Sequence, residues 1–342
     1  MANILILGAG TMGTAFSFPC SDNGHSVSII GTHLEDDFIN QISSTRKHPT
    51  LDCEVQKNIK FSKFEKLKEE INKKVDLIVV AVVSKGIDWA SKEISKVLKN
   101  NVPILILTKG LAINDNNYEV LAHKMERLLK KNGVTETNIS AAGGPCLAKN
   151  LANKAHTSVV FANKDIKVVE KISELVSTNY YHVSTSDDVI GVEVCAAIKN
   201  IFSMAVGASQ GLCDSNKAKE ENYLNTAAAL IQESIYEMII FVEKLKGKKE
   251  TVIGHAGIGD LYVSADGGRN SKMGEYLGQG ISYKEAKKTK MSNITVEGAD
   301  LALEIGPKIK SDFDNKTLPL MINMIETICE GKPLKINWKN FK

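Results

Sequence analysis

Through the first half of the chain, short runs of consecutive apolar residues alternate with segments whose apolar positions recur at helical spacing. The runs "NILILG" (3–8), "SVSIIG" (26–31), "DLIVVAVV" (76–83), "PILILTKG" (103–110), "NISAAGG" (138–144), "SVVFA" (158–162) and "YYHVST" (180–185) read as strands. Unbroken apolar runs of this length fit strands covered on both faces. Strand alternating with helix predicts an α/β fold with a doubly wound parallel sheet and right-handed crossovers. From Asp187 the texture changes to long helical periodicity, as in "NYLNTAAALIQESIYEMIIFVEKLKG" (222–247), with little strand signal. A boundary is therefore expected near 185, with one domain over 1–186 and an all-helical C-terminal domain over 187–342.

Composition narrows the function classes. The 342 residues suffice for about two domains with full cores, and 43% apolar with 24% charged residues is ordinary for a globular protein. Lys and Arg total 43 against 40 for Asp and Glu, and the excess is spread in short clusters such as "KKVD" and "KGKKE". Nucleic acid is not an expected partner of so even a charge distribution. The cysteines at 20, 53, 146, 195, 213 and 329 show no C-x-x-C pair and no zinc spacing, and the seven histidines are scattered. They are expected to be free thiols in a reducing compartment, with no metal site. Residue 1 leads directly into "NILILGAG" without a basic leader, and the longest purely apolar run, "LIVVAVV" (77–83), is far short of a bilayer span. These features predict a cytoplasmic protein without a membrane span.

Chemistry enters with "ILILGAGTMG", where Gly8, Gly10 and Gly13 stand in G-x-G-x-x-G spacing between the first strand and a helix. The three glycines suit the tight turn, the approach of backbone to a pyrophosphate, and close packing of helix on strand. The anion would then lie on free N–H groups at the helix N-terminus. After the second strand comes "GTHLEDD". Thr32 and His33 suit hydrogen bonds to a 2′-phosphate, whereas Glu35, Asp36 and Asp37 would repel one if they point inward. NAD and NADP both remain open as cofactor.

Two lysines and a polar cluster follow. Lys109 closes the strand "PILILTKG", at the end where open α/β sheets place ligands. Lys199 lies inside "GVEVCAAIKNIFSMAVGASQGL" (191–212), where Glu193 is the only other charge and no carboxylate stands three or four residues away. Its stem could lie along apolar surface with the ammonium reaching water, or the ammonium could have a chemical task. The segment "GIGDLYVSADGGRNSKMG" (257–274) gathers Asp260, Ser264, Arg269 and Asn270 among glycines. It reads as a glycine-rich loop, either a connector or a phosphate site built from a guanidinium fork and backbone N–H groups.

The chain resembles the NAD(P)-dependent sn-glycerol-3-phosphate dehydrogenase family of the soluble bacterial and archaeal type. The likeness comprises "GAGTMGTA", "LTKGL" (107–111), "GGPCLAKNLA" (143–152), "DDVIGVEVCAAIKNIFSMAVGASQGL" (187–212), "GIGDLYVSADGGRN" (257–270), "MGEYLGQG" (273–280) and "VEGA" (296–299). It implies a Rossmann-like domain followed by a helical one, a small phosphorylated substrate, and NAD or NADP as cofactor. It is also compatible with a homodimer. By resemblance Lys199 is the catalytic lysine, Lys109 a second active-site lysine touching substrate and cofactor, and Asp260 the acid beside the catalytic lysine. Gly144, Asn200, Ser264, Arg269 and Asn270 would face substrate. Gly8, Gly10, Thr11, Met12, Gly13, Thr32, Ser84, Ala148, Arg269 and Glu297 would touch the cofactor. The chain departs from the family pattern at Cys146 and Leu147, where "GPSF" is usual, at Gly268, where a serine precedes Arg-Asn, and at Val83, where a proline is usual.

The reaction so implied moves a hydride to the C2 carbonyl of dihydroxyacetone phosphate and a proton to its oxygen, and a cationic acid aimed at that oxygen serves both needs. In reverse the lysine must be neutral; desolvation and Lys109 favour that form, and Asp260 opposes it. Two other readings are another polyol phosphate or a 3-hydroxy acid on the same scaffold, and a non-catalytic NAD(P) sensor. Lys199, Lys109 and Asp260 together are superfluous to the sensor.

Overall fold

The computed structural model describes residues 1–98, 101–213 and 223–341. Ten strands form: β1 (Asn3–Leu7), β2 (Ser26–Ile30), β3 (Lys60–Ser62), β4 (Leu77–Val80), β5 (Pro103–Ile106), β6 (Leu111–Asn114), β7 (Asn117–Val120), β8 (Asn138–Gly143), β9 (Thr157–Ala162) and β10 (Tyr181–Ser186). Eight make one sheet in the order β10-β9-β8-β5-β4-β1-β2-β3. β1 is the pivot, pairing in parallel with β2 from Asn3↔Ser26 to Leu7↔Ile30 and with β4 from Ile4↔Leu77 to Leu7↔Val80. The chain winds outward from β1 to β2 and β3, then returns to β4, β5 and β8 on the other side, so the strand order reverses between β1 and β4. Such a switch point opens a crevice beyond the carboxyl ends of the strands. Val, Leu and Ile fill β1 and β4 because both faces are covered, and Leu77 to Val80 are wholly buried.

Each of the seven apolar runs forms a strand, and the sheet differs from a wholly parallel one at a single junction. β9 runs antiparallel to β8, Ala141 facing Ala162 and Gly143 facing Val160, while β10 pairs parallel with β9. Between β8 and β9 the short helix Ala148–Ala152 packs on the helix that follows β1 instead of crossing the sheet. That first helix, α1 (Thr11–Asp22), is held to the outer strands by Phe16, whose ring meets Tyr181 edge-on at 6.1 Å and Phe161 at 6.5 Å. Helix α2 (Asp36–Thr45) follows β2.

The chain divides into two compact units, residues 1–109 with 120–192, and residues 110–119 with 193–342. The second unit thus takes in most of a hairpin, β6–β7, that lies inside the expected first domain. Asp115 and Asn116 turn this hairpin with φ of 48° and 59°, the two left-handed residues a two-residue turn needs. The rest of the second unit is helical: α3 (Val189–Leu212), which begins in the first unit, α4 (Leu224–Lys244), α5 (Asp260–Ala265), α6 (Arg269–Gly278), α7 (Glu297–Asp312) and α8 (Pro319–Cys329). Asn222, where the helical pattern of α4 was expected to begin, lies outside the described residues. Buried Glu237 of α4 accepts the Leu320 and Met321 N–H groups at 2.5 and 2.8 Å, satisfying the first turn of α8.

The apolar character of α3 has a structural reason. It is long and apolar enough to cross a membrane by length and composition, and it is buried in the protein's own interior. Glycines let α6 lie directly on it. A Cβ on Gly274 would come within 1.8 Å of the Met204 carbonyl oxygen and one on Gly278 within 2.3 Å of that of Ala208. Reciprocally, Gly207 of α3 abuts the Ser271 backbone and Gly211 that of Glu275.

Candidate functional site

In the first unit the candidate residues collect along one edge of the sheet, the carboxyl ends of β1, β2, β4, β5 and β8. Gly8 leaves β1 with φ +110°, its N–H donating to the Ile30 carbonyl at 2.8 Å, and a Cβ there would come within 2.7 Å of the Ala81 carbonyl oxygen. Gly13 is as tight, its Cβ position 2.2 Å from the Gly8 carbonyl oxygen. Gly10 is open, with only a Glu35 oxygen, 3.9 Å away, near its Cβ position. Two glycines therefore fold the turn, and the third leaves its surface bare at the start of α1, where Thr11 and Met12 are half-buried. This arrangement fits a pyrophosphate resting on free N–H groups.

The remaining first-unit residues take neighbouring places on that edge. Thr32 follows β2, and Ser84 opens the short turn after β4. Lys109 follows β5 and is half-buried; its neighbour Thr108 donates to the Val82 carbonyl at 2.6 Å and ties the end of β5 to that of β4. Gly144 turns out of β8 with φ +118°, its Cβ position 3.0 Å from the Val159 Cα, and Ala148 opens the helix beyond it. Leu34 and Val83, 83% and 75% exposed, flank this edge after β2 and β4. Among the described residues no cysteine is paired in a disulfide.

In the second unit Lys199 is buried, so its ammonium does not reach water along the apolar surface. Its ammonium meets the Asp260 carboxylate at 2.6 Å and also donates to the Ser264 hydroxyl, with 7% of the lysine side chain and 2% of the aspartate exposed. Asp260 and Ser264 stand one turn apart on α5, so both reach the same ammonium. A π-helical turn, His255–Gly259, delivers Asp260 to its place; such turns are frequent at functional sites. Within it, Gly257 lies so close to Val252 that a Cβ would come within 1.9 Å of the carbonyl oxygen.

The segment 257–274 is therefore not a loop. Its glycines serve close backbone contacts, and only Asp266–Gly268 separate α5 from α6. α6 begins with Arg269 and Asn270. The Asn270 amide donates to the Asn200 side-chain oxygen at 3.0 Å and accepts the Gly298 N–H at 2.9 Å. Arg269 pairs with Glu297, the first residue of α7, and both are well exposed. Lys199, Asn200, Asp260, Ser264, Arg269, Asn270 and Glu297 thus form one connected group drawn from four helices. Among the described residues no cluster of three or more His, Cys, Asp or Glu could hold a metal ion.

The description "NAD-dependent glycerol-3-phosphate dehydrogenase N-terminus" matches residues 3–169, and "NAD-dependent glycerol-3-phosphate dehydrogenase C-terminus" matches residues 188–338. The chain belongs to this family. The NADP(+)-dependent glycerol-3-phosphate dehydrogenase of Archaeoglobus fulgidus is 32% identical over 314 residues, covering 90% of this chain and 91% of the relative. The glycerol-3-phosphate dehydrogenase [NAD(P)+] of Streptococcus agalactiae is 28% identical over 97% of this chain and 93% of its own. Among solved structures, the glycerol-3-phosphate dehydrogenase of Coxiella burnetii superposes with a TM-score of 0.79 at 25% identity, over 97% of this chain and 96% of that one. D-mandelate dehydrogenase shares the fold at a TM-score of 0.60 and 15% identity, over 97% of this chain and 100% of that one. Membership of the glycerol-3-phosphate dehydrogenases favours neither the hydroxy-acid reading nor the sensor.

Proposed function

We propose that the protein interconverts dihydroxyacetone phosphate and sn-glycerol 3-phosphate with NAD or NADP, and that Lys199 carries the proton. The observation that carries this reading is the buried ammonium held by Asp260 and Ser264. When bound, the nicotinamide supplies the hydride for C2 in the reducing direction. The Lys199 ammonium gives its proton to the carbonyl oxygen, so the C=O π bond is replaced by new C–H and O–H bonds, the C–O single bond remains, and the lysine is left as the neutral amine. In the oxidising direction the amine accepts the hydroxyl proton. Asp260 and Ser264 fix the Nζ position, which keeps the donor aligned with the developing alkoxide.

Arg269 and Asn270, at the N-terminus of α6, suit the substrate phosphate, because a guanidinium, a side-chain amide and the positive end of a helix all favour an anion. Arg269 must exchange Glu297 for the phosphate. An exposed ion pair is worth only about 0–1 kcal/mol, so a dianion competes for the arginine readily. Binding at the phosphate, away from the reacting carbon, orients C2. The glycine turn with Thr11 and Met12 takes the pyrophosphate. Thr32, Ser84, Lys109, Ala148 and Glu297 complete the cofactor contacts, and Lys109 and Gly144 face substrate. A cytoplasmic location, in keeping with six cysteines outside disulfides, and a homodimer belong to the same reading.

The test follows reduced nicotinamide absorbance with dihydroxyacetone phosphate beside other ketose phosphates. Turnover is expected with dihydroxyacetone phosphate, and Arg269→Ala should raise its KM. Lys199→Met should lower kcat about 100- to 10,000-fold. Silence with dihydroxyacetone phosphate, or undiminished turnover in Lys199→Met, overturns the reading.

A further inference from the structure

Glu35 directly precedes α2, and its side chain folds back over the glycine turn instead of pointing to solvent. One carboxylate oxygen accepts the Thr32 N–H at 2.7 Å and the Ala9 N–H at 3.2 Å. The other lies 3.9 Å from the Cβ position of Gly10, beside the glycine turn. The turn Thr32–Glu35, closed by the Glu35 N–H on the Thr32 carbonyl at 3.0 Å, aims the side chain there. In a dinucleotide seated on the turn, the adenosine ribose is the next group along from the pyrophosphate, at the carboxyl end of the second strand.

NAD and NADP differ at one oxygen of that ribose. In NAD it is a hydroxyl, which donates to a carboxylate; in NADP it carries a phosphate, which the same carboxylate repels. Asp36 and Asp37 open α2 and add to the negative field. Two cations near α2 already have partners. Lys63 lies 4.0 Å from Asp36, and Arg46 donates to the Val55 and Ile59 carbonyls with its guanidinium over the Phe61 ring. His33, a candidate for a 2′-phosphate, packs its ring 5.2 Å from that of Trp89.

We infer that Glu35 receives the adenosine ribose hydroxyls and makes the protein selective for NAD(H) over NADP(H). The assignment rests on the dinucleotide reading of the glycine turn, and it departs from the NADP(+) in the name of the Archaeoglobus relative. The usual acid of such sites stands at the strand end itself. Here that place is Gly31-Thr32, and the acid arrives three residues later through a turn.

The experiment measures direct binding of NADH and NADPH to the full chain by nicotinamide fluorescence, without substrate, for wild type and Glu35→Gln. Wild type should bind NADH about 100-fold more tightly, since opposing two like charges at a contact costs several kcal/mol. Glu35→Gln keeps an acceptor for the N–H groups and removes the charge, so the preference should shrink to within about tenfold, mainly through tighter NADPH binding. NADPH binding as tightly as NADH in wild type overturns the Glu35 assignment and leaves the dehydrogenase reading intact. Failure of both nucleotides to bind overturns the two together. An NADH preference undiminished in Glu35→Gln also overturns the assignment, and wild-type binding alone can overturn it even if that variant does not fold.

Discussion

Lys199 and Asp260 are a buried ion pair at 2.6 Å, so the lysine matters to stability as well as to chemistry. A lone lysine in an apolar helix should be replaceable without loss of stability, but this one has a carboxylate on its ammonium. Taking one partner from a buried pair costs about 3–5 kcal/mol, because the other charge stays desolvated. Lys199→Met is expected to lower unfolding stability on that scale, and Lys199→Met with Asp260→Asn to regain much of it while staying inactive. Denaturant titration of the two variants checks this, and equal destabilisation in both would show that charge is not the cause. The oddness of Lys199 was legible in the sequence because it interrupts an apolar helix. Its partner was not legible by helical spacing, since Asp260 is 61 residues further on and only the fold brings the two together. Glu35 shows the same limit. Three acids after a strand are visible in sequence, but which of them turns inward depends on the Thr32–Glu35 turn.

Helix α3 holds Lys199 in position only if α6 lies against it, and the glycines of both helices set that distance. A methyl group on Gly274 has to displace the Met204 backbone, 1.8 Å from where its Cβ would stand. Gly274→Ala should therefore destabilise by about 1–3 kcal/mol or more through overpacking. It should also lower kcat, since Met204 lies on the helix that carries Lys199. Gly254→Ala is the control: its Cβ would meet its nearest neighbour at 3.4 Å, and stability should change by no more than about 0.5 kcal/mol. Thermal melts and kcat of the two variants measure the difference, and like behaviour would remove the packing argument. At this scale the buried strands of the large sheet were legible, because an apolar run is a strong signal. The edge strand β3 was not, being three residues of which none is buried. The glycines of 257–274 suggested a loop, and the helices there arise because glycine also permits backbone contact, a use that composition does not distinguish from a turn.

The chain passes between its two units at 109/110, 119/120 and 192/193, so the units are not two consecutive stretches of sequence. The expected boundary at 186/187 followed the change in periodicity, which reports local structure and is blind to an excursion of ten residues. Residues 110–119 belong to the second unit through specific contacts. The Tyr118 ring meets Phe241 of α4 edge-on at 5.3 Å, the Lys308 ammonium of α7 lies 5.3 Å from the same ring, and β6 packs on α7. Phe241 is fully buried and stacks at 5.5 Å on Phe313, so losing Tyr118 opens an aromatic cluster at the centre of this unit. A fragment starting at residue 187 lacks the hairpin and exposes that cluster. Losing an aromatic side chain from a packed site costs about 3–5 kcal/mol, a large part of the 5–15 kcal/mol typical of a whole domain. The fragment 187–342 should therefore keep helical circular dichroism while losing a cooperative melt and fixed aromatic signals. Placing residues 110–119 ahead of it through a flexible linker should restore both. A sharp melt of the bare fragment would show that the hairpin is dispensable and that the change in periodicity marks a true folding boundary.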